Sequence, residues 1–210
     1  KRLTQSVSDA SRIRAIDDLC VYAKALCIDG KDAEAIELLK RRLPGNDTNT
    51  ALLYSLAVIE ITFLENDTRQ RLCDARTHLE SLCRQKGSRF LAWKLLGYVY
   101  LQLASRDTNP EKRRSLASNS EMASGYYLEV LRMQRSLVQT EEMDSGAIFN
   151  KACAWALLGR PDTDIEEQIN LVRGIEGTTR ILERYKQVKS LEPYTAKIEQ
   201  WLGIAPAATS

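Results

Sequence analysis

The sequence predicts an all-α protein, and three observations carry that expectation. The 210 residues include only 10 glycines and 5 prolines, so few positions interrupt a helix. Apolar residues recur three and four apart, as in Leu19, Tyr22, Ala23 and Leu26 or Leu53, Leu56 and Ala57, the period of a helix with one buried face. Trp93-x-x-Leu96-Gly97-x-x-Tyr100, followed later by Ala123-x-x-x-Tyr127-x-x-Val130, places a small residue at one point of each helix and large residues one turn away. That arrangement suits two helices in close contact, with the backbones meeting at Gly97 and Ala123 and Trp93, Tyr100 and Tyr127 filling the flanks.

Taken in order, the patterning predicts helices near 12–29, 31–43, 49–65, 68–86, 88–106, 110–138, 142–158 and 162–175, with two shorter ones reaching about 202. Gly30 ends the first helix by supplying a left-handed cap. Around residues 106–120 two readings stand. Asp107, Asn109 and Pro110 mark a helix start, whereas the serines from Ser115 to Ser120 favour a loop and a later start near Ser120. Apolar residues Ile181, Leu182, Tyr185 and Val188 form a further face, and the stretch from Pro193 to Trp201 predicts a short capping helix. Residues 1–11 read as a tail or linker, 12–204 as one helical domain and 205–210 as a disordered tail.

The small residue of each first helix falls at Ala23, Ala57, Gly97 and Ala152, spaced 34, 40 and 55 residues apart. On the second helices it falls at Ala35, Ala75 and Ala123, spaced 40 and 48. The lengthening predicts insertions of about six and about fourteen residues between the helices of the second and third hairpins. A 34-residue step and the W-x2-L-G-x2-Y…A-x3-large pattern resemble the tetratricopeptide repeat family over about residues 15–175. Departures are visible: Glu60 stands at a Tyr position, and the family's closing proline is missing from every repeat. The resemblance implies a right-handed α-solenoid of antiparallel helix hairpins, a superhelix with a C-terminal capping helix.

Lys and Arg number 30 against 28 Asp and Glu, a net charge of +2, which argues against a dedicated nucleic-acid binder. Lys40-Arg41-Arg42 and Lys112-Arg113-Arg114 read as solvated helix ends. Five cysteines, most of them on apolar faces, suggest no disulfide framework. Without a CxxC pair, and with His78 as the single histidine, no zinc site is expected. No apolar run reaches the ~20 residues of a membrane span. The expectation is a cytoplasmic protein with no cofactor and no metal.

The resemblance implies binding of an extended or helical protein segment in a concave groove lined by the first helices. The residues it places there include Cys20, Lys24, Cys27 and Ile28, then Tyr54, Val58, Ile61 and Thr62. Leu91, Lys94, Tyr98, Leu101 and Gln102 follow, and Phe149, Cys153 and Leu157 complete the lining. Lys24, Tyr54, Val58, Lys94, Tyr98 and Phe149 are the candidate partner-binding residues, the lysines pairing with acidic groups and the others giving area. Cys20, Lys24 and Tyr98 depart from the carboxylate clamp of the family's chaperone cofactors, so an apolar segment with one or two acidic groups fits better. A regulatory or oligomerisation domain of a larger enzyme or effector is the alternative, with homo-oligomerisation or fusion to another domain left open. Catalysis has two weak candidates, Glu60 sharing the groove with Lys24 or Lys94, and His78 with Asp74 four residues away on one helix face. The second reads as a surface pair.

Overall fold

A computed structural model describes residues 2–62, 68–85, 90–138, 144–185 and 189–203, the side chains of 2–14, 68, 135–138, 182, 184, 189 and 190 excepted. Among these residues there is no strand. Ten α-helices follow one another: α1 Arg2–Ile28, α2 Asp32–Lys40, α3 Thr50–Thr62, α4 Thr68–Arg84, α5 Leu91–Arg106, α6 Pro110–Val138, α7 Ser145–Leu158, α8 Asp162–Glu176, α9 Thr178–Tyr185 and α10 Thr195–Trp201. A 3-10 turn, Lys189–Tyr194, precedes the last. The all-α expectation holds, and the boundaries fall close to those read from the sequence. One differs at the start: the chain is helical from Arg2, where a tail was expected over 1–11.

The chain divides into two compact units, Lys1–Ala92 and Trp93–Ser210. In the first, α1 packs on α2 and α3, α2 on α3, and α3 on α4. The expected cap closes α1. Gly30 has φ +74°, its N–H donates to Cys27 O, and the next N–H, of Lys31, donates to Leu26 O at 2.8 Å. Those two bonds satisfy carbonyls that the helix end would otherwise leave bare. Asn49 starts α3, its side chain accepting from the Leu52 N–H at 3.0 Å. Ala23, Ala35, Ala57 and Ala75, the small residues expected at helix contacts, are all fully buried. Leu26, Leu39, Leu52, Leu56 and Ile59 share one core with Ala23 and Ala35.

In the second unit α6 packs on α7, α7 on α8, and α8 on α9 and α10. The two readings of 106–120 resolve into one continuous helix from Pro110. Asn109 caps it, accepting from the Lys112 N–H at 3.0 Å, and proline sits at the first helical position, where its missing N–H is not needed. The extra residues of the third hairpin therefore lengthen α6 to 29 residues and do not form a loop. The serines that argued against helix serve the helix contact: Ser120 is fully buried and its hydroxyl donates to Gly97 O at 2.7 Å. The residues between α3 and α4, where the insertion of about six residues was expected, lie at 63–67, outside those described. Gly159 closes α7 with φ +69°. The C-terminal elements bring Ile181, Tyr185, Leu191 and Ile198 onto Phe149, Cys153, Ile165 and Ile169.

Gly97 was expected to meet Ala123; the atoms that face it belong to the neighbouring serines. A methyl carbon added at Gly97 would stand 2.4 Å from Ser124 Oγ and 3.3 Å from the Ser124 backbone nitrogen. One added at Gly125 would meet nothing within 4 Å. Gly97→Leu should therefore destabilise by about 1–3 kcal/mol or more through overpacking. Gly125→Leu should be neutral or slightly stabilising, since leucine is the better helix former by up to about 1 kcal/mol. Urea denaturation of both variants in dilute solution checks the ordering.

Candidate functional site

The candidate groove residues divide between the units. Lys24 on α1 is exposed, and Tyr54 and Val58 on α3 are half-buried. They are accompanied on α1 by Val21, 67% exposed, and Ile28, 86% exposed, at helical spacing from Lys24. In the second unit the candidates do not form a comparable surface. Phe149 is only 3% exposed and lies in the core with Leu101 and Cys153, covered by elements that follow it in the chain. Tyr98 is half-buried, and burial pushes its phenol pKa up, against the opposing charge of Arg106.

Lys94 is engaged inside the chain. Its ammonium donates to Asp144 Oδ2 at 2.7 Å, and the Tyr127 hydroxyl donates to the same oxygen at 2.8 Å. Asp144 Oδ1 accepts from the Ala147 N–H at 3.1 Å, so this one carboxylate caps α7 while holding α5 and α6. Lys94 thus serves as a counter-ion in packing, where the sequence reading had it facing a ligand.

A second set of charges in the first unit was not assembled from the sequence. Glu60 is the single charged residue of α3 and is fully buried. Its Oε2 lies 3.0 Å from His78 Nδ1 on α4, and its Oε1 lies 3.3 Å from Lys40 Nζ at the end of α2. Lys40 also donates to Asp74 Oδ2 at 2.8 Å, and Gln70 donates to Asp74 Oδ1. His78 therefore pairs across helices with Glu60, not on the surface with Asp74, and Lys40 is half-buried rather than part of a solvated helix end. A carboxylate can only accept, so His78 Nδ1 carries the proton in this bond. Burial works against the Lys40 ammonium, yet the hydrogen bond to Asp74 and the charges of Glu60 and Asp74 outweigh it and hold its pKa above the ordinary range. Burial likewise would raise Asp74, but the hydrogen bonds from Lys40 and Gln70 and the Lys40 charge hold it low. The signal was present in the sequence: an acid in an otherwise apolar helix must find partners, because an unpaired buried carboxylate is too costly to keep.

Lys40, Asp74, Thr77 and His78 form one wall of a surface depression, with Leu43, Pro44 and Asp47 of the α2–α3 connection opposite. Its chemistry is limited. The Thr77 hydroxyl donates to the Cys73 carbonyl of its own helix at 3.0 Å. Burial, followed by the charge of Glu80, pushes the Cys83 thiol up to about 12, so it stays protonated at neutral pH. The cluster ties α2, α3 and α4 together through Glu60. Among the described residues no three His, Cys, Asp or Glu side chains are grouped to hold a metal.

Set against family models, curated proteins and solved structures, the chain matches none. No described helix is long and apolar enough to cross a membrane.

Two stability differences follow from this geometry. Glu60→Ala removes the partner of His78 and should cost about 3 kcal/mol, whereas Asp74→Ala, at a wetter position, should cost about 1 kcal/mol or less. Chemical denaturation at neutral pH checks the order; equal losses would show that Glu60 is not the centre of the cluster. For Asp144, burial favours the neutral acid, but the bonds from Lys94, Tyr127 and the Ala147 N–H prevail and bring its pKa below the ordinary 3.8. Its contribution is then complete above the unfolded value and disappears as pH falls through the folded one. Asp144→Ala should cost about 2–4 kcal/mol near neutrality. The gap between wild type and variant should shrink as denaturation is repeated at successively lower pH below about 4.

Proposed function

We propose that this chain is a non-catalytic protein interaction module of tetratricopeptide type, taking an extended or helical partner segment along α1 and α3 of its first unit. The observation that carries this reading is the exposed side of α1. Val21, Lys24 and Ile28 recur at helical spacing and are exposed among the described residues, on a helix that packs against α3, where Tyr54 and Val58 are half-buried. A solvated helix face is ordinarily polar, so apolar residues kept at this spacing are suited to a partner. Lys24 makes no ion pair with a described residue. It supplies one cation beside the apolar strip, and the fitting partner is an apolar segment carrying an acidic group opposite it. The sites proposed for this role are Lys24, Tyr54 and Val58, joined by Val21 and Ile28. A cytoplasmic setting belongs to the same proposal.

Ile28→Asp and Lys24→Glu should each weaken a partner recovered with the wild-type protein by about tenfold or more, without lowering thermal stability, because exposed residues contribute little to folding. Lys24→Glu should also remove part of the salt dependence. Binding measured by calorimetry against the recovered partner tests this, with Arg84→Ala on the exposed side of α4 as the control. Loss of binding in the control alone would move the interface to α4.

A further inference from the structure

The longest helix with described side chains presents an exposed strip that matches its own reverse. On α6, Glu111, Arg114, Ser118, Met122, Gly125, Glu129 and Arg132 follow one another at steps of three and four, so they share one face. All are exposed except Gly125, which is half-buried. Met122 is 60% exposed, and beside it Tyr126 is 51% exposed, resting on Trp93 with ring centroids 4.6 Å apart. Glu111, Arg114, Glu129 and Arg132 form no ion pair with any described residue. Gly125 adds a second, separate point. Glycine inside a helix is less favourable than alanine by about 1 kcal/mol, and no described residue stands near enough to this one to require it.

We infer that two copies of this chain associate through this face, with their α6 helices antiparallel and the twofold axis passing between Glu121 and Met122. In that register Ser118 faces the partner's Gly125, so the backbones approach closely on both sides of the axis, and the Met122 side chains of the two copies meet at the centre. Arg114 then faces the partner's Glu129, and Glu111 faces the partner's Arg132. Symmetry repeats each pair, giving four ion pairs of opposite sign along about 33 Å of helix. A parallel arrangement of the same face would set each charge against its own copy and is disfavoured. The N-terminal half of α6 is bordered by a depression lined by Pro110, Arg114, Ser118 and Leu157 of α7. The antiparallel register brings the partner's exposed Tyr126 and Met133 over that half. One helix thus supplies most of the recess, Leu157 of α7 completing it, and the apolar side chains that cover it.

The test is sedimentation velocity on the whole chain from low micromolar to several hundred micromolar, with circular dichroism melts confirming that each variant folds. The wild type should form dimers within that range, and more weakly at high salt. Arg114→Glu and Glu129→Arg should each weaken dimerisation by about tenfold or more, since each places like charges together twice. The double variant Arg114→Glu with Glu129→Arg should return to within about threefold of wild type. Gly125→Leu should melt like the wild type in dilute solution and fail to dimerise, because only the partner fills the space it invades. A chain that stays monomeric throughout overturns the inference. So does a double variant no better than its parents, dimerisation strengthened by salt, or a Gly125→Leu protein that associates normally.

Discussion

Close contact between helices at small side chains is the constraint on which this structure depends. Ala23, Ala35, Ala57, Ala75, Ala123 and Ala152 are each fully buried, and Gly97 is buried between two serines. At Gly97 the neighbouring backbone comes close, an added methyl carbon standing 3.3 Å from the Ser124 nitrogen, and a buried small residue leaves room for large side chains one turn away. The spacing of small residues therefore governs which faces are apolar. Ser120 and Ser124 extend the device. A hydroxyl is small enough for the contact, and that of Ser120 is satisfied by the Gly97 carbonyl instead of being left buried and bare.

Within that frame, each unit keeps one buried or half-buried acid at a junction of three elements. Glu60 joins α3 to His78 on α4 and Lys40 on α2; Asp144 joins the start of α7 to Lys94 on α5 and Tyr127 on α6. Apolar packing tolerates small rotations and shifts of a helix, since one leucine contact replaces another. A carboxylate that must meet two named donors does not. Such groups add little net stability over apolar replacements, but losing one partner is severe, which fixes a single helix register. The same requirement accounts for the pKa directions: at Asp144 and Asp74 the bonded partners prevail over burial, which acting alone would have favoured the neutral acid.

The helices were legible in the sequence because their ends are chemical. Gly30 needs a positive φ, Asn109-Pro110 form a cap and a first position, and Gly159 closes α7, all within a few residues of the element they bound. Side-chain partners were less legible because they arise between residues far apart in sequence. Periodicity places Phe149 and Cys153 on an apolar face of α7 but does not say what covers it; Ile181, Leu191 and Ile198 do so from later in the chain. Lys94 lies 50 positions from its acid, Lys40 lies 34 from Asp74, and Glu60 lies 18 from His78. The pairing of His78 with Asp74 was the local solution, four residues apart on one helix. The long-range one prevailed because Glu60, with no water around it, had the greater need of a donor.

What remains after every internal requirement is met indicates where the protein meets others. Lys94 and Phe149 are taken up by packing, and Lys40 and His78 by Glu60. Among the described residues, the large apolar side chains more than half exposed are Val21, Tyr22 and Ile28 on α1 and Met122, Tyr126 and Met133 on α6. Each group sits on a single helix of its own unit. The two strips differ in chemistry. That on α1 carries one cation, Lys24, beside Val21, Tyr22 and Ile28. That on α6 carries two acids and two bases in an order that reads as its own complement when reversed. Under the two proposals, the first strip would take a foreign partner and the second a copy of the chain, each on a helix of its own unit.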